Sequence, residues 1–188
     1  PNRVTEMTPT AQNLLSTALG PLDLLGLWLG MLSLRLILGW EFFESGLEKY
    51  RGSNWFIDIQ DSFPFPLSLV PTEISWQMAT WFELIGALAL VVGLATRFFS
   101  VSLIVLTVVA ILSVHWPAEW HSLADLLRGY AITDQGFGNY KLPAIFIAML
   151  LPLALMGPGR LSFDHWLRNR LEQPSDQADR PLVAATEP

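Results

Sequence analysis

Cysteine is absent from the 188 residues, which removes disulfides, iron–sulfur clusters, thiolate metal centres and cysteine nucleophiles together. Histidine is scarce: His115, His121 and His165 are the three present, too few for a rich metal centre although each can still supply a ligand. Charge is scarce as well, at 15% of residues against about 25% in ordinary soluble domains. The 11 basic residues are outnumbered by 17 acidic ones, for a net charge of −6 and a pI near 4.9. No basic stripe is available to neutralise phosphates along a duplex, so nucleic acid is excluded as a partner. A nucleophile elbow, an H-E-x-x-H pair and a dinucleotide fingerprint are all missing, and soluble hydrolase and dehydrogenase readings fall away with them. Residues 1–20 lack a basic region followed by an apolar core and a small-residue cleavage site. No secretory leader is therefore expected there, and the first apolar segment is expected to be a retained helix.

What is present in quantity is hydrocarbon. Hydrophobic residues make up 52% of the chain and mean hydropathy is +0.40. Four apolar stretches stand out, at 22–46, 74–95, 98–114 and 140–156. About 20 apolar residues cross a bilayer core, with about 17 as a working minimum, so the last two are near the short limit. The expected fold is all-α: a membrane protein built as a four-transmembrane-helix bundle. Its expected divisions are an N-terminal cytoplasmic segment (1–21), the four-helix membrane domain (22–172) and a disordered tail (173–188), the last being polar and proline-containing.

A tight turn at Ala95-Thr96-Arg97 makes the second and third helices antiparallel neighbours. The connections 50–73 and 115–139 are longer and rich in turn-formers, and Trp120 to Tyr130 is expected to hold a short interfacial helix. After Gly159 the pattern turns amphipathic around Phe163, Trp166, Leu167 and Leu171. Arg3, Arg97, Arg160, Arg168 and Arg170 fall on the side of the termini, against Lys49, Arg51, Arg128 and Lys141 in the longer loops. The positive-inside rule then makes the termini cytoplasmic. Six of the eight tryptophans (Trp40, Trp55, Trp76, Trp81, Trp116 and Trp120) would gather at the outer interface as anchors.

Two helical stripes combine glycine with charge. Arg35, Gly39, Phe42, Gly46 and Lys49 share one face of the first helix, and Glu83, Gly86, Leu90, Gly93 and Arg97 share one face of the second. An ionisable group inside a membrane segment is costly and usually finds a protein partner. With the first helix ending near Phe43 and the second beginning near Ile74, Arg35 and Glu83 lie roughly 12 and 14 Å deep. A contact between them is therefore expected, either as a structural pair that fixes helix register or as a site for substrate or proton handling.

Glu41, Glu44 and Glu48 form an acidic stripe near the outer end of the first helix, able to bind a cation or relay protons, or simply solvated. His115 and His121 flank Trp116 and Trp120; imidazole suits copper and haem iron, but their spacing is no ligand signature, and interfacial hydrogen bonding is the favoured reading of the two. The Gly26–Gly30 pair fits helix packing or dimerisation, and Gly136-Phe137-Gly138 is a turn.

Arg35-Leu36-Ile37-Leu38-Gly39 with Phe42-Phe43, Gly46 and Lys49 resembles the first helix of DoxX-like membrane proteins. Phe82-Glu83-Leu84-Ile85-Gly86 through Gly93-Leu94-Ala95-Thr96-Arg97 continues the resemblance. Gly157-Pro158-Gly159-Arg160-Leu161-Ser162-Phe163-Asp164 is similar to the signature after that family's last helix. The resemblance covers roughly residues 22–170. It implies a four-helix bundle in the bacterial cytoplasmic (inner) membrane and a role beside redox chemistry, the family taking its name from a subunit associated with thiosulfate:quinone oxidoreduction. One branch accompanies machinery for modified, copper-binding peptides, which the Trp- and His-bearing loop is similar to in flavour.

The leading expectation is a multi-pass inner-membrane protein that assists a redox pathway through contact with quinone or a partner protein. Arg35 and Glu83 would shape the site, with Glu41, Glu44, Lys49, His115 and His121 near its mouth. The alternatives are a non-enzymatic accessory or export factor for a copper-handling or modified-peptide system, and a structural subunit of a larger membrane complex. Quinone is the cofactor candidate, and no metal ligand set is assigned.

Overall fold

The computed structural model describes residue 20 and residues 25–117, 119–129 and 139–172. The expected N-terminal segment, the Gly136-Phe137-Gly138 turn and the tail at 173–188 lie almost wholly outside the described residues. Every regular element among the described residues is helical. Helix α1 runs Met31–Arg51, continuing a π-wound turn at Gly26–Gly30. Helix α2 is Thr72–Val92 and α3 is Thr96–Ala110, the latter prolonged by a second π turn at Ile111–His115. A six-residue helix α4, Leu123–Arg128, precedes α5, Lys141–Met156, and the amphipathic α6, Phe163–Glu172. Short 3-10 turns fill the connection between α1 and α2.

The four long helices pack as a ring, α1 on α2, α2 on α3, α3 on α5 and α5 back on α1. Leu38 and Phe42 of α1, Ala87 and Leu90 of α2, Leu103 of α3, and Leu150 and Leu153 of α5 fill its centre. On α3 the buried set is Thr96, Ser100, Leu103 and Thr107, steps of four, three and four that keep one face inward. The opposite face carries Phe98, Val101, Val105, Val108 and Leu112, all exposed. An apolar surface of that extent does not face water in a stable monomer. Among the described residues, two helices are long and apolar enough to cross a membrane by length and composition: Thr72–Val92 and Thr96–His115. In the second, only 17% of the apolar window is buried inside the protein, the reverse of a helix that serves as the core of a water-soluble domain.

Two ends of the ring can be distinguished. The proximal end holds the start of α1, the α2–α3 turn and the segment between α5 and α6; the distal end holds the C-terminus of α1 and the start of α2. Helix α1 continues to Arg51, eight residues beyond Phe43. Glu44, Glu48 and Lys49 are good helix formers, and nothing breaks the run before Gly52. The antiparallel register of α1 and α2 follows from their glycines: Gly39 faces Ala87 and Val91, and Gly46 faces Glu83 and Leu84. A Cβ on Gly39 would lie 3.2 Å from the Ala87 carbonyl oxygen, so the two backbones approach as closely as small residues allow.

The α2–α3 turn is made by Gly93, Leu94 and Ala95, with Arg97 already inside α3. Gly93 adopts φ of 75° and its N–H, with that of Leu94, returns to the last carbonyls of α2, a left-handed helix stop. A Cβ there would come within 2.9 Å of the Arg35 guanidinium carbon and collide with Ser162. Gly93→Ala is expected to cost at least about 1–2 kcal/mol from the left-handed backbone alone, with the collision added. Gly30→Ala, which meets nothing within 4 Å, serves as the control. Unfolding midpoints in a mild detergent should fall for the first and hold or rise for the second.

Candidate functional site

The two charges expected to pair do not meet. Arg35 is 1% exposed, and its guanidinium donates to backbone carbonyls: Nε to Leu90 at 2.7 Å, Nη2 to Val91 at 2.7 Å, and Nη1 to both Pro158 and Leu161. Leu90 and Val91 lie in the last turn of α2, where carbonyls lack intrahelical partners and the helix dipole is negative. Arg35 therefore caps α2 and ties it to the 157–161 segment. Asp164 completes the junction. Its Oδ1 accepts the Ala95 N–H at 2.7 Å and its Oδ2 the Thr96 N–H at 2.9 Å, while its own N–H donates to the Gly93 carbonyl. Ala95 has φ of 45°, an uncommon geometry for a residue with a Cβ, and the Asp164 carboxylate holds it while capping the start of α3.

Glu83 pairs instead with Lys49. Lys49 Nζ lies 2.8 Å from Glu83 Oε2 and 2.9 Å from Ser45 Oγ, with the two charged side chains only 14% and 10% exposed. The sequence estimate failed on one quantity, the end of α1. That end lies at Arg51 rather than Phe43, eight residues or roughly 12 Å further along; Gly46 then faces Glu83, and Lys49, one turn beyond it, reaches the carboxylate with its side chain. Along α2, Glu83 and Leu90 are seven residues apart, roughly 10 Å of rise, so Arg35 and Glu83 occupy opposite halves of the ring.

Above the Lys49–Glu83 pair, toward the distal end, sits an aromatic cluster that joins two of the expected interfacial tryptophans, Trp55 and Trp76, to two phenylalanines the sequence pattern did not reveal. Trp76 lies two turns from Glu83 on the same buried face of α2. Phe56 packs edge-on against Trp76 at 5.0 Å and against Phe63 at 5.1 Å, and Trp55 meets Trp76 at 5.9 Å. Asn54 starts the Trp55–Asp58 turn by accepting the Phe56 N–H. Phe56 and Phe63 come from an irregular connection, where no periodicity announces which side chains turn inward.

The remaining expected site residues do not converge. Glu41 is half-buried, whereas Glu44 and Glu48 are exposed on the outside of α1. His115 is half-buried at the end of α3, near the Gln60–Ser62 turn, and His121 is exposed before α4. No group of three or more metal-ligand side chains occurs among the described residues. At the start of α4 the Ser122 hydroxyl donates to Asp125 at 2.9 Å and holds its carboxyl below the ordinary carboxylate range. Of the six tryptophans expected at one interface, Trp55 and Trp76 meet at the distal end and Trp116 follows the distal end of α3, packed on Tyr140. Trp40 is exposed and level with the proximal half of α2, not at the outer interface, because α1 runs on past it. Trp81 contacts Tyr50 along the outer surface of the helices.

A double-mutant cycle separates the two pairings. Lys49→Ala and Glu83→Ala should each destabilise, by about 3–5 kcal/mol if the value for breaking buried pairs in soluble proteins transfers, and together by clearly less than their sum. Arg35→Ala and Glu83→Ala should add to within about 0.5 kcal/mol, as separated sites do. Unfolding free energies in detergent read both cycles; coupling between Arg35 and Glu83 with none between Lys49 and Glu83 would contradict this geometry.

The DoxX family model matches residues 30–116, which carries α1, α2 and α3 with their junctions. An uncharacterized protein of Haemophilus influenzae is 46% identical over 140 residues, covering 74% of this chain and 84% of that protein. No solved structure matches the chain. With the apolar exterior of α2 and α3 and the matched segment spanning the glycine-lined helix pair, the chain belongs to the DoxX family of membrane proteins.

Proposed function

We propose that this is a multi-pass protein of the bacterial inner membrane, with α1, α2, α3 and α5 all crossing, that assists a redox pathway by receiving a quinone-type headgroup at the distal end of the ring. One observation carries the reading: the desolvated Lys49–Glu83–Ser45 group beneath the Trp55, Phe56, Phe63 and Trp76 cluster. A quinone needs flat apolar walls for its ring and one or two polar groups for its carbonyls, the usual composition of a small-molecule site. Lys49 supplies a donor to a ring carbonyl, and Glu83 supplies an acceptor for a quinol hydroxyl. The crossing of α1 is supported by its 21 residues, roughly 31 Å at 1.5 Å per residue, and by Leu36, Ile37, Trp40 and Phe43 on its outside. Arg97, Arg160, Arg168 and Arg170 at the proximal end support a cytoplasmic placement of that end.

A second reading has its own observation. Glu44 is exposed on α1, close to the level of Leu84 and thus near the middle of α2. A carboxylate turned outward at such a depth calls for a partner, which favours a role as a subunit docking through this face against a cationic or hydrogen-bonding helix.

Two measurements test these readings. Protein purified gently from quinone-containing membranes, then extracted with solvent, should yield quinone in molar proportion, and Lys49→Ala should lose it while Ser33→Ala retains it. No enrichment over an unrelated membrane protein handled identically would overturn the quinone reading, and a stable co-purifying subunit lost on Glu44→Ala would support the second. For topology, the absence of native cysteine lets single cysteines report cleanly. In intact cells an impermeant thiol reagent should label Ser62→Cys and spare Asn169→Cys; the opposite pattern would reverse the orientation.

A further inference from the structure

An open cleft of about 630 Å³ lies at the proximal end, between the beginning of α1, the first turn of α3, the 156–160 segment and α6. Arg97, Arg160 and Arg168 line it, against one carboxylate, Asp164. That carboxylate is already committed, both oxygens accepting N–H groups of the α2–α3 turn. The three guanidinium groups are exposed and make few contacts within the protein. Among the described residues Arg97 reaches the Met156 carbonyl, at a long 3.5 Å. Arg160 lies over the Trp28 ring at 5.9 Å, and none of the three forms an ion pair with a carboxylate among the described residues. Three like charges around one cavity repel one another and leave planar, forked donors unused. Such donors match the oxygens of a phosphate two at a time.

The level of the cleft narrows the source of the phosphate. The outward apolar stripe of α3 begins at Phe98, one residue beyond Arg97, so the cleft lies where hydrocarbon-facing surface gives way to polar surface. Helix α6 exposes Phe163, Trp166, Leu167 and Leu171 beside Arg168 and Arg170, the pattern of a helix lying in the plane of the interface. Trp28 and Trp166 are of the type that anchors at headgroup depth. We infer that this cleft binds the phosphate of an anionic phospholipid headgroup, gripped by Arg97, Arg160 and Arg168. The site is separate from the distal centre and does not depend on the quinone reading. A bound phosphate there also bridges α3 to the 157–164 segment, and so reinforces the junction that Arg35 and Asp164 form.

Delipidated protein in a neutral detergent is the test material, titrated with phosphatidylglycerol, phosphatidylcholine or inorganic phosphate, with binding followed by native mass spectrometry and thermal unfolding. Phosphatidylglycerol should bind and raise the unfolding temperature well above the effect of either other probe. Neutralising each cleft arginine as Arg97→Gln, Arg160→Gln or Arg168→Gln should weaken phosphatidylglycerol binding about tenfold, the scale of one charged hydrogen-bonding contact. Arg170→Gln, which removes the same charge from the same helix outside the cleft lining, should change it little. Equal binding of phosphatidylcholine, or an equal loss on Arg170→Gln, would overturn the site in favour of unspecific surface attraction. Stabilisation by inorganic phosphate matching that by phosphatidylglycerol would overturn the lipid as the source. The comparison of lipids on the wild-type protein decides the matter even if a cleft variant fails to fold.

Discussion

The charge of Arg35 sets the terms for the proximal half of this protein. A guanidinium removed from water must replace its hydration with fixed acceptors or it destabilises the fold. Here the acceptors are peptide carbonyls from two distant segments, the end of α2 and the segment after α5. That choice explains neighbouring sequence features that otherwise look unrelated. Position 93 must be glycine because the guanidinium occupies the space a side chain would need. Asp164 must reach the α2–α3 turn because Arg35 takes the carbonyls while the N–H groups of Ala95 and Thr96 still need an acceptor. Donors and acceptors at one helix junction are thus satisfied from opposite directions by two charged side chains that make no direct salt bridge with each other.

The two ends of the ring solve the problem of charge in hydrocarbon differently. At the distal end opposite charges neutralise each other side chain to side chain, with an aromatic cluster two helical turns further out. At the proximal end positive charge is in excess and is either absorbed by carbonyls or left facing a cleft. A bundle with one neutral, enclosed polar centre and one open cationic rim has a built-in polarity along its axis. The functional readings follow that division: an uncharged ring compound suits the first environment, and a phosphate suits the second.

The apolar runs and their periodicity made the four long helices legible from sequence, because burial and lipid exposure both demand hydrocarbon and leave an unmistakable composition. The glycine stripe of α1 was legible too, since Gly39 and Gly46 do lie against α2, whereas Gly86 of the α2 stripe faces Leu103 of α3 instead. What failed was the end of α1. Its outer end was placed near Phe43 although the stripe of the helix already ran on to Lys49; glutamate and lysine favour the helix, and the chain stays helical until Gly52. That error exchanged the partner of Glu83. Trp55 and Trp76 were expected together, but Phe56 and Phe63, which complete their cluster, sit in non-repetitive chain that shows no period, and the cleft was illegible because Arg97, Arg160 and Arg168 come from three segments joined only by the fold.

The span of chain between Arg35 and its last acceptor has a consequence for biogenesis. Leu161 follows Arg35 by 126 residues, which at about 5–20 residues per second amounts to roughly 6–25 seconds of translation. During that interval α1 and α2 can already be paired at the insertion machinery, but Arg35 holds only the carbonyls of Leu90 and Val91. The start of α3 also waits for Asp164, 69 residues beyond Ala95. The segment that follows α5 is therefore the one that completes the coordination of Arg35, and a nascent protein arrested before it exposes an incompletely coordinated arginine to any quality-control factor that surveys the membrane.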